Sequence, residues 1–199
     1  MPKPYTPNDT WSRKAAAEGY RARSVYKLKE LDERLHLLKP GMKVLDLGAA
    51  PGSWLQYIAE KIGPRGRALG IDLTPVEPVG TNVGTRELDI TDTKQLEQAL
   101  TDEDMQTVDL VLSDIAPSTS GIKDVDQWRS VELAMTVVAI ADGHLVPGGK
   151  FVVKVFRGSD FDTFMHDVRH RWHDVRVMTV KASRDRSREV YVIARKARE

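Results

Sequence analysis

The chain contains no cysteine. A disulfide framework and thiolate chemistry are therefore excluded. Its five histidines are scattered over 199 residues, and without cysteine they do not make a structural zinc site, so no metal is expected. No apolar run approaches the roughly 18 residues that suggest a membrane span. The opening segment, MPKPYTPNDTWSRK, lacks the apolar centre of a secretory signal. These absences predict a soluble, cytoplasmic protein with no membrane partner. An overall charge imbalance is missing too, since the chain as a whole carries +1.

What is present is globular: 41% of residues are hydrophobic and 30% charged, unlike the apolar-poor composition of disordered chains. The length suits one domain and should bury roughly 70% of the surface that the unfolded chain exposes. Charge is unevenly placed. Residues 1–36 hold eight basic and five acidic residues, residues 165–199 hold ten and five, and the middle holds twelve and nineteen. Basic ends on an acidic body suit the capture of a polyanion, or equally two solvated termini. The proline-rich start predicts a mobile arm over 1–19, followed by a single domain over 20–199.

From Ser24 the pattern turns helical: Val25, Leu28, Leu31, Leu35 and Leu38 recur at helical spacing until Pro40-Gly41. Strands are expected at 42–47, 66–72, 83–88 and 108–114, with helices at 54–62 and 92–101 between them. A long helix over 126–145 precedes a buried strand at 150–156 and a helix near 159–171. Two final strands, near 174–180 and 189–195, have no helix between them and read as an antiparallel hairpin at the sheet edge. Strands alternating with helices predict an α/β fold, a largely parallel sheet covered on both faces.

Four constellations bear on chemistry. In VLDLGAAPGSW, the small residues Gly48 to Gly52 follow a strand ending in Asp46. They form the kind of first turn where doubly wound sheets bind ligands. The glycine spacing is not G-x-G-x-x-G, which disfavours a dinucleotide pyrophosphate and suits a ligand without phosphates. Asp72 closes the second strand, where a carboxylate accepts from a ribose diol or simply caps a helix. Asp89 is placed to contact an adenine amino group, or to cap the next helix.

Asp114 closes VDLVLSD at the ligand side of the sheet, and Lys154 lies inside FVVKVF among apolar neighbours. Lysine stays inside only when paired, so the two read as partners in a site, the alternative being a lysine reaching out from the strand end. Finally, Arg184, Arg186 and Arg188 precede a strand that begins with Glu189, and suit phosphates or solvent. Glu189 and Lys27 carry little signal by themselves.

These residues resemble a known family. DLGAAPGSW, LSDIAPSTSG, FVVKVF and SREVYV follow the order and spacing of the FtsJ-type RNA 2′-O-methyltransferases, over residues 20–195. The resemblance implies a Rossmann-like S-adenosylmethionine-dependent methyltransferase fold, with a mostly parallel seven-stranded sheet and helices on both faces. It implies a catalytic Lys-Asp-Lys-Glu tetrad at Lys27, Asp114, Lys154 and Glu189. It further implies S-adenosylmethionine contacts at Gly52, Trp54, Asp72, Asp89 and Asp114. Ser53 departs from the second glycine that the family often has, and is small enough for the turn to survive.

Compact length and the RSVYKL segment look most like the members that methylate the ribose of a uridine in the A-loop of 23S rRNA. The implied partner is 23S rRNA within the large ribosomal subunit or its precursor, in support of ribosome maturation, with no obligate protein partner. Other substrates, a tRNA anticodon loop or an mRNA cap, would require segments outside this core. A nicotinamide oxidoreductase would require the missing G-x-G-x-x-G turn and leaves Lys154 and Glu189 without a joint role. A non-enzymatic ribosome-assembly factor would have no need of the tetrad.

Overall fold

A computed structural model describes residues 10–118, 120–183 and 187–198. The chain opens with α1 (Thr10–Ala17) and α2 (Val25–Leu35), then β1 (Lys43–Leu47), α3 (Ser53–Ile62) and β2 (Arg67–Asp72). It continues through β3 (Val83–Glu87), α4 (Thr93–Asp102), β4 (Val108–Ser113) and α5 (Lys123–His144). The last elements are β5 (Leu145–Phe156), α6 (Phe161–Arg171), β6 (His173–Met178) and β7 (Glu189–Arg195).

The seven strands form one sheet in the order β3-β2-β1-β4-β5-β7-β6. Strands β3 to β5 are mutually parallel, and β7 alone runs against its neighbours β5 and β6. The sheet is thus the expected mostly parallel one. The closing hairpin forms as expected, but β6 takes the edge and β7 inserts beside β5. Burial explains the choice. Residues Val190 to Ala194 of β7 are all buried, which an inner position requires, whereas no residue of β6 is fully buried.

Helices cover both faces. On one, α4, α5 and α6 pack over Leu45, Leu47, Val111, Phe151 and Val153; on the other, α2 and α3 pack over Val44, Leu110, Leu112, Val152 and Tyr191. Successive residues of each central strand therefore enter opposite cores, and each large apolar side chain so buried contributes about 1.5–3 kcal/mol. Phe151 and Trp172 meet edge-on at 4.7 Å. No helix among the described residues is long and apolar enough to cross a membrane.

Several boundaries differ from the sequence expectation; strand β5, for one, begins at Leu145 and not at 150, taking in the Pro147-Gly148-Gly149 segment. Helix α2 stops at Leu35 instead of running to Leu38, because His36 turns left-handed and its N–H bonds to the Asp32 carbonyl. The Asp32 carboxylate also accepts from the Leu38 N–H at 2.9 Å, and Leu37 and Leu38 are buried in the core. Helix α5 begins at Lys123, ahead of the expected 126, where Asp126 gathers the Ser120 N–H and hydroxyl and the Gly121 N–H of the preceding loop. Within the expected arm, residues 10–17 are helical. Ala15 is buried and Trp11 packs on Tyr26 with ring centroids 5.0 Å apart, so α1 is held by apolar contact. Residues 1–9 of that arm lie outside the described residues.

Candidate active site

Strand alternation and parallel register build the site. Asp46 of β1 pairs with Gly70 and Leu112, so Asp46, Asp72 and Asp114 fall on one face, at the carboxyl ends of three adjacent strands. Lys154 of β5 is two residues beyond Val152 of that same face, and its register partner is Tyr191; Glu189 lies opposite Phe156. This is the face covered by α2, which brings Lys27.

The four tetrad candidates meet. Lys154 Nζ lies 3.0 Å from Asp114 Oδ1 and also donates to the Asp114 carbonyl. Lys27 Nζ lies 3.4 Å from Asp114 Oδ1 and 2.8 Å from Glu189 Oε1. Lys154 is 5% exposed and does not reach out to solvent. Two lysines and two acidic side chains thus pair in one cluster, which is what makes their burial tolerable. Burial opposes ionisation of Asp114, but Lys154 and then Lys27 outweigh it and hold this carboxyl below the usual range. Glu189 is likewise lowered: Lys27 and the Ser183 hydroxyl outweigh burial.

The cluster opens into a cavity of about 410 Å³ whose walls include Arg23, Lys27, Lys154, Phe156, Ala182 and Glu189. Its lining mixes charged and hydroxyl groups with the apolar Ala116, Phe156 and Ala182.

The other candidates lie towards the β1–β2 end. Asp72 ends β2, and its two carboxylate oxygens take the Thr74 N–H at 2.8 Å and the Ala50 N–H at 3.0 Å. That joins it to the Gly48–Gly52 turn and leaves each oxygen free to accept again. Gly52 has φ +101°, a left-handed conformation that favours glycine. Asp89 bonds the Thr91 N–H and hydroxyl, while the cap of α4 is Asp92, which takes the Gln95 N–H at 3.0 Å. Trp54 is buried, donates its indole N–H to the Ser24 carbonyl at 2.8 Å and packs near Tyr191. Its ring ties α3 to α2, and its backbone N–H, in the first turn of α3, remains available to a ligand. Ser53 contributes to the same junction, its hydroxyl 2.9 Å from that of Ser24.

Sequence reasoning missed Tyr191 and gave Asp46 no role beyond ending its strand. Tyr191 donates to Asp114 Oδ1 at 2.7 Å; its position two residues after Glu189 on the same strand face was the available signal. Asp46 is 1% exposed, and neither carboxylate oxygen has a hydrogen-bond partner. Burial, then Asp114 and Asp72, raise its pKa well above the usual range.

Arg21, basic and near an expected RNA-capturing end, donates to the Pro51, Glu77 and Pro78 carbonyls. Its guanidinium stands where a side chain at Gly52 would point, with Nη1 2.6 Å from a Cβ there. Arg23 donates to the Ala182 carbonyl at 2.7 Å and lines the tetrad cavity. Arg184 and Arg186, the phosphate candidates of the other basic end, lie outside the described residues.

Known proteins resemble this chain over nearly its whole length. The family model described as FtsJ-like methyltransferase matches residues 20–197. The chain is 47% identical over 186 residues to a ribosomal RNA large subunit methyltransferase E of Azoarcus sp. (strain BH72), covering 94% of this chain and 90% of that protein. A protein of the same name from Myxococcus xanthus is 42% identical over 199 residues, covering 100% and 93%. A crystal structure of a chain described as a ribosomal RNA methyltransferase from Plasmodium falciparum superposes with a TM-score of 0.77 at 28% identity, covering 89% and 98%. With the motif order, the sheet topology and a family match over nearly its whole length in agreement, the chain belongs to the FtsJ-like methyltransferase family.

Proposed function

We propose that this methyltransferase is a cytoplasmic enzyme that uses S-adenosylmethionine to methylate the ribose 2′-hydroxyl of a uridine in the A-loop of 23S rRNA. The observation that carries the reading is the convergence of Lys27, Asp114, Lys154 and Glu189 on one cavity at the carboxyl end of the sheet. The names of the Azoarcus and Myxococcus relatives support large-subunit rRNA as the substrate.

The residues fit the cofactor. Asp72 keeps an acceptor on each oxygen for a ribose diol, and the orphaned, buried carboxyl of Asp46 lies on the same face, suited to a ligand that carries positive charge. Gly52, the Trp54 N–H, Asp72, Asp89 and Asp114 would hold it. When bound, S-adenosylmethionine supplies a methyl group already activated on a sulfonium.

The chain's own part is to place and manage the ribose hydroxyl. Lys154, fixed by Asp114, presents its amino group to the cavity, where it takes the hydroxyl proton or neutralises the oxygen as that proton leaves. Lys27 and Glu189 form the adjoining wall, and their ion pair fixes the direction of both side chains. Positioning the oxygen in a cavity of this size supplies much of the acceleration. Arg23 adds a positive charge at the cavity wall for the neighbouring RNA backbone.

Mapping ribose methylation across rRNA and tRNA in cells with and without this protein tests the reading. Loss of one A-loop uridine mark is the expected result. An unchanged map rules the substrate out, and a lost mark in tRNA moves it to another RNA.

A further inference from the structure

Asp46 is a buried acid that the tetrad chemistry does not use. It is 1% exposed, and both of its carboxylate oxygens lack a partner. The nearby lysines are committed elsewhere: Lys154 contacts Asp114, and Lys27 contacts Asp114 and Glu189. The groups that face Asp46 from neighbouring strands are Asp114 and Asp72, both of its own charge sign. Helix α3 lies over the strand, and its charged Glu60 and Lys61 are at the exposed far end, while Tyr57 is bonded to Asp32.

An ionised carboxylate in this position is costly, because nothing compensates its lost hydration. A protonated one is cheaper, yet still leaves a donor and an acceptor unmet. A ligand that brings positive charge to this end of the sheet removes both penalties. S-adenosylmethionine carries two such charges, a sulfonium and an α-ammonium. The inference rests on the cofactor reading given above.

We propose that Asp46 holds a proton while the site is empty and that capture of the cationic cofactor expels it, leaving a carboxylate that pairs with the cofactor's positive charge. The O–H bond of Asp46 breaks, and the proton passes to solvent buffer. The liganded protein then binds one proton fewer than the empty one. Affinity consequently strengthens as pH rises, up to about tenfold per pH unit, until the empty-state carboxyl itself ionises.

Titration calorimetry at pH 6.5, in two buffers of different ionisation enthalpy, reads the released proton directly. At that pH the cofactor's own amine, near an ordinary α-amino value of about 7.7–8.0, stays charged and contributes little. Wild type should release ~1 proton per S-adenosylmethionine, and Asp46→Asn close to none. Affinity measured from pH 5.5 to 7, where the cofactor's amine stays charged, should strengthen in wild type and stay nearly flat in Asp46→Asn. S-adenosylhomocysteine keeps the ammonium and lacks the sulfonium. Release with both ligands assigns the ammonium as the partner, and release with S-adenosylmethionine alone assigns the sulfonium.

Binding by wild type without proton release overturns the proposal, as does equal release by Asp46→Asn. The wild-type measurement stands by itself if the variant misfolds. No binding of either ligand by folded wild type overturns the cofactor reading as well, and is distinguishable because no heat appears in either buffer.

Discussion

Lys154 and Tyr191 are register partners across the β5–β7 ladder, and their polar ends converge on the same oxygen of Asp114, at 3.0 and 2.7 Å. The antiparallel strand therefore does more than close the sheet. It brings a second donor to the carboxylate that orients Lys154 and, at its first residue, the glutamate that pairs with Lys27.

The first prediction concerns Lys154. Lys154→Ala should bind cofactor and RNA but lower the single-turnover methyl-transfer rate by at least about a hundredfold, the lower range for losing a general base or a charge stabiliser. Lys154→Arg retains a charge that does not accept a proton at accessible pH. Appreciable activity in the arginine variant assigns charge stabilisation. A near wild-type rate in the alanine variant would remove Lys154 from the chemistry.

Tyr191 has a smaller part, because Asp114 keeps both lysines when the hydroxyl is gone. Tyr191→Phe preserves the ring beside Trp54 and should slow methyl transfer by no more than about tenfold, matching the loss of one hydrogen bond of roughly 1 kcal/mol. Tyr191→Ala empties a fully buried position and should cost about 3–5 kcal/mol of stability. Rates for the phenylalanine variant and denaturant midpoints for the alanine variant check the two halves separately.

Asp46 should also leave a signature in the stability of the empty protein. Its folded-state pKa is raised, so its contribution is fully present below the unfolded value of about 3.9 and is lost as pH rises towards the folded value. Asp114 and Glu189 are lowered and act oppositely. Their contribution is present above the unfolded carboxylate range and is lost as pH falls through their folded values. Asp46→Asn removes only the first dependence. The variant's melting temperature relative to wild type should therefore be higher at pH 8 than at pH 5. A difference independent of pH would contradict this assignment.

Arg21 should behave as a clasp and not as a phosphate contact. Its guanidinium joins the Pro51 turn to the 77–78 loop through three carbonyls. Arg21→Ala should cost roughly 1–2 kcal/mol, a fall in melting temperature of roughly 2–8 °C, and should weaken cofactor binding. The salt dependence of RNA binding should barely change, since few counterions are released at a residue already committed to the protein. A slope reduced by about one phosphate contact, with stability intact, would return Arg21 to the RNA surface.

The order of strands and helices, the Gly48–Gly52 turn and the oddity of a lysine in FVVKVF were legible in the sequence. Each is local: apolar periodicity, turn residues and a charge in an apolar run are properties of a few neighbouring positions. Asp114 and Lys154 could be paired because adjacent parallel strands end on the same side. Lys27 and Glu189 carried no such signal, being one lysine of several on an amphipathic helix and one glutamate at a strand start. Family resemblance named them, and tertiary structure brought them to 2.8 Å of each other. The insertion of β7 beside β5 did this, driven by the need to bury Val190 to Ala194 on both faces. The orphaned state of Asp46 and the commitment of Arg21 were likewise invisible to the sequence. Both depend on which groups long-range packing leaves within hydrogen-bond reach, and that is decided only when the sheet and its covering helices are assembled.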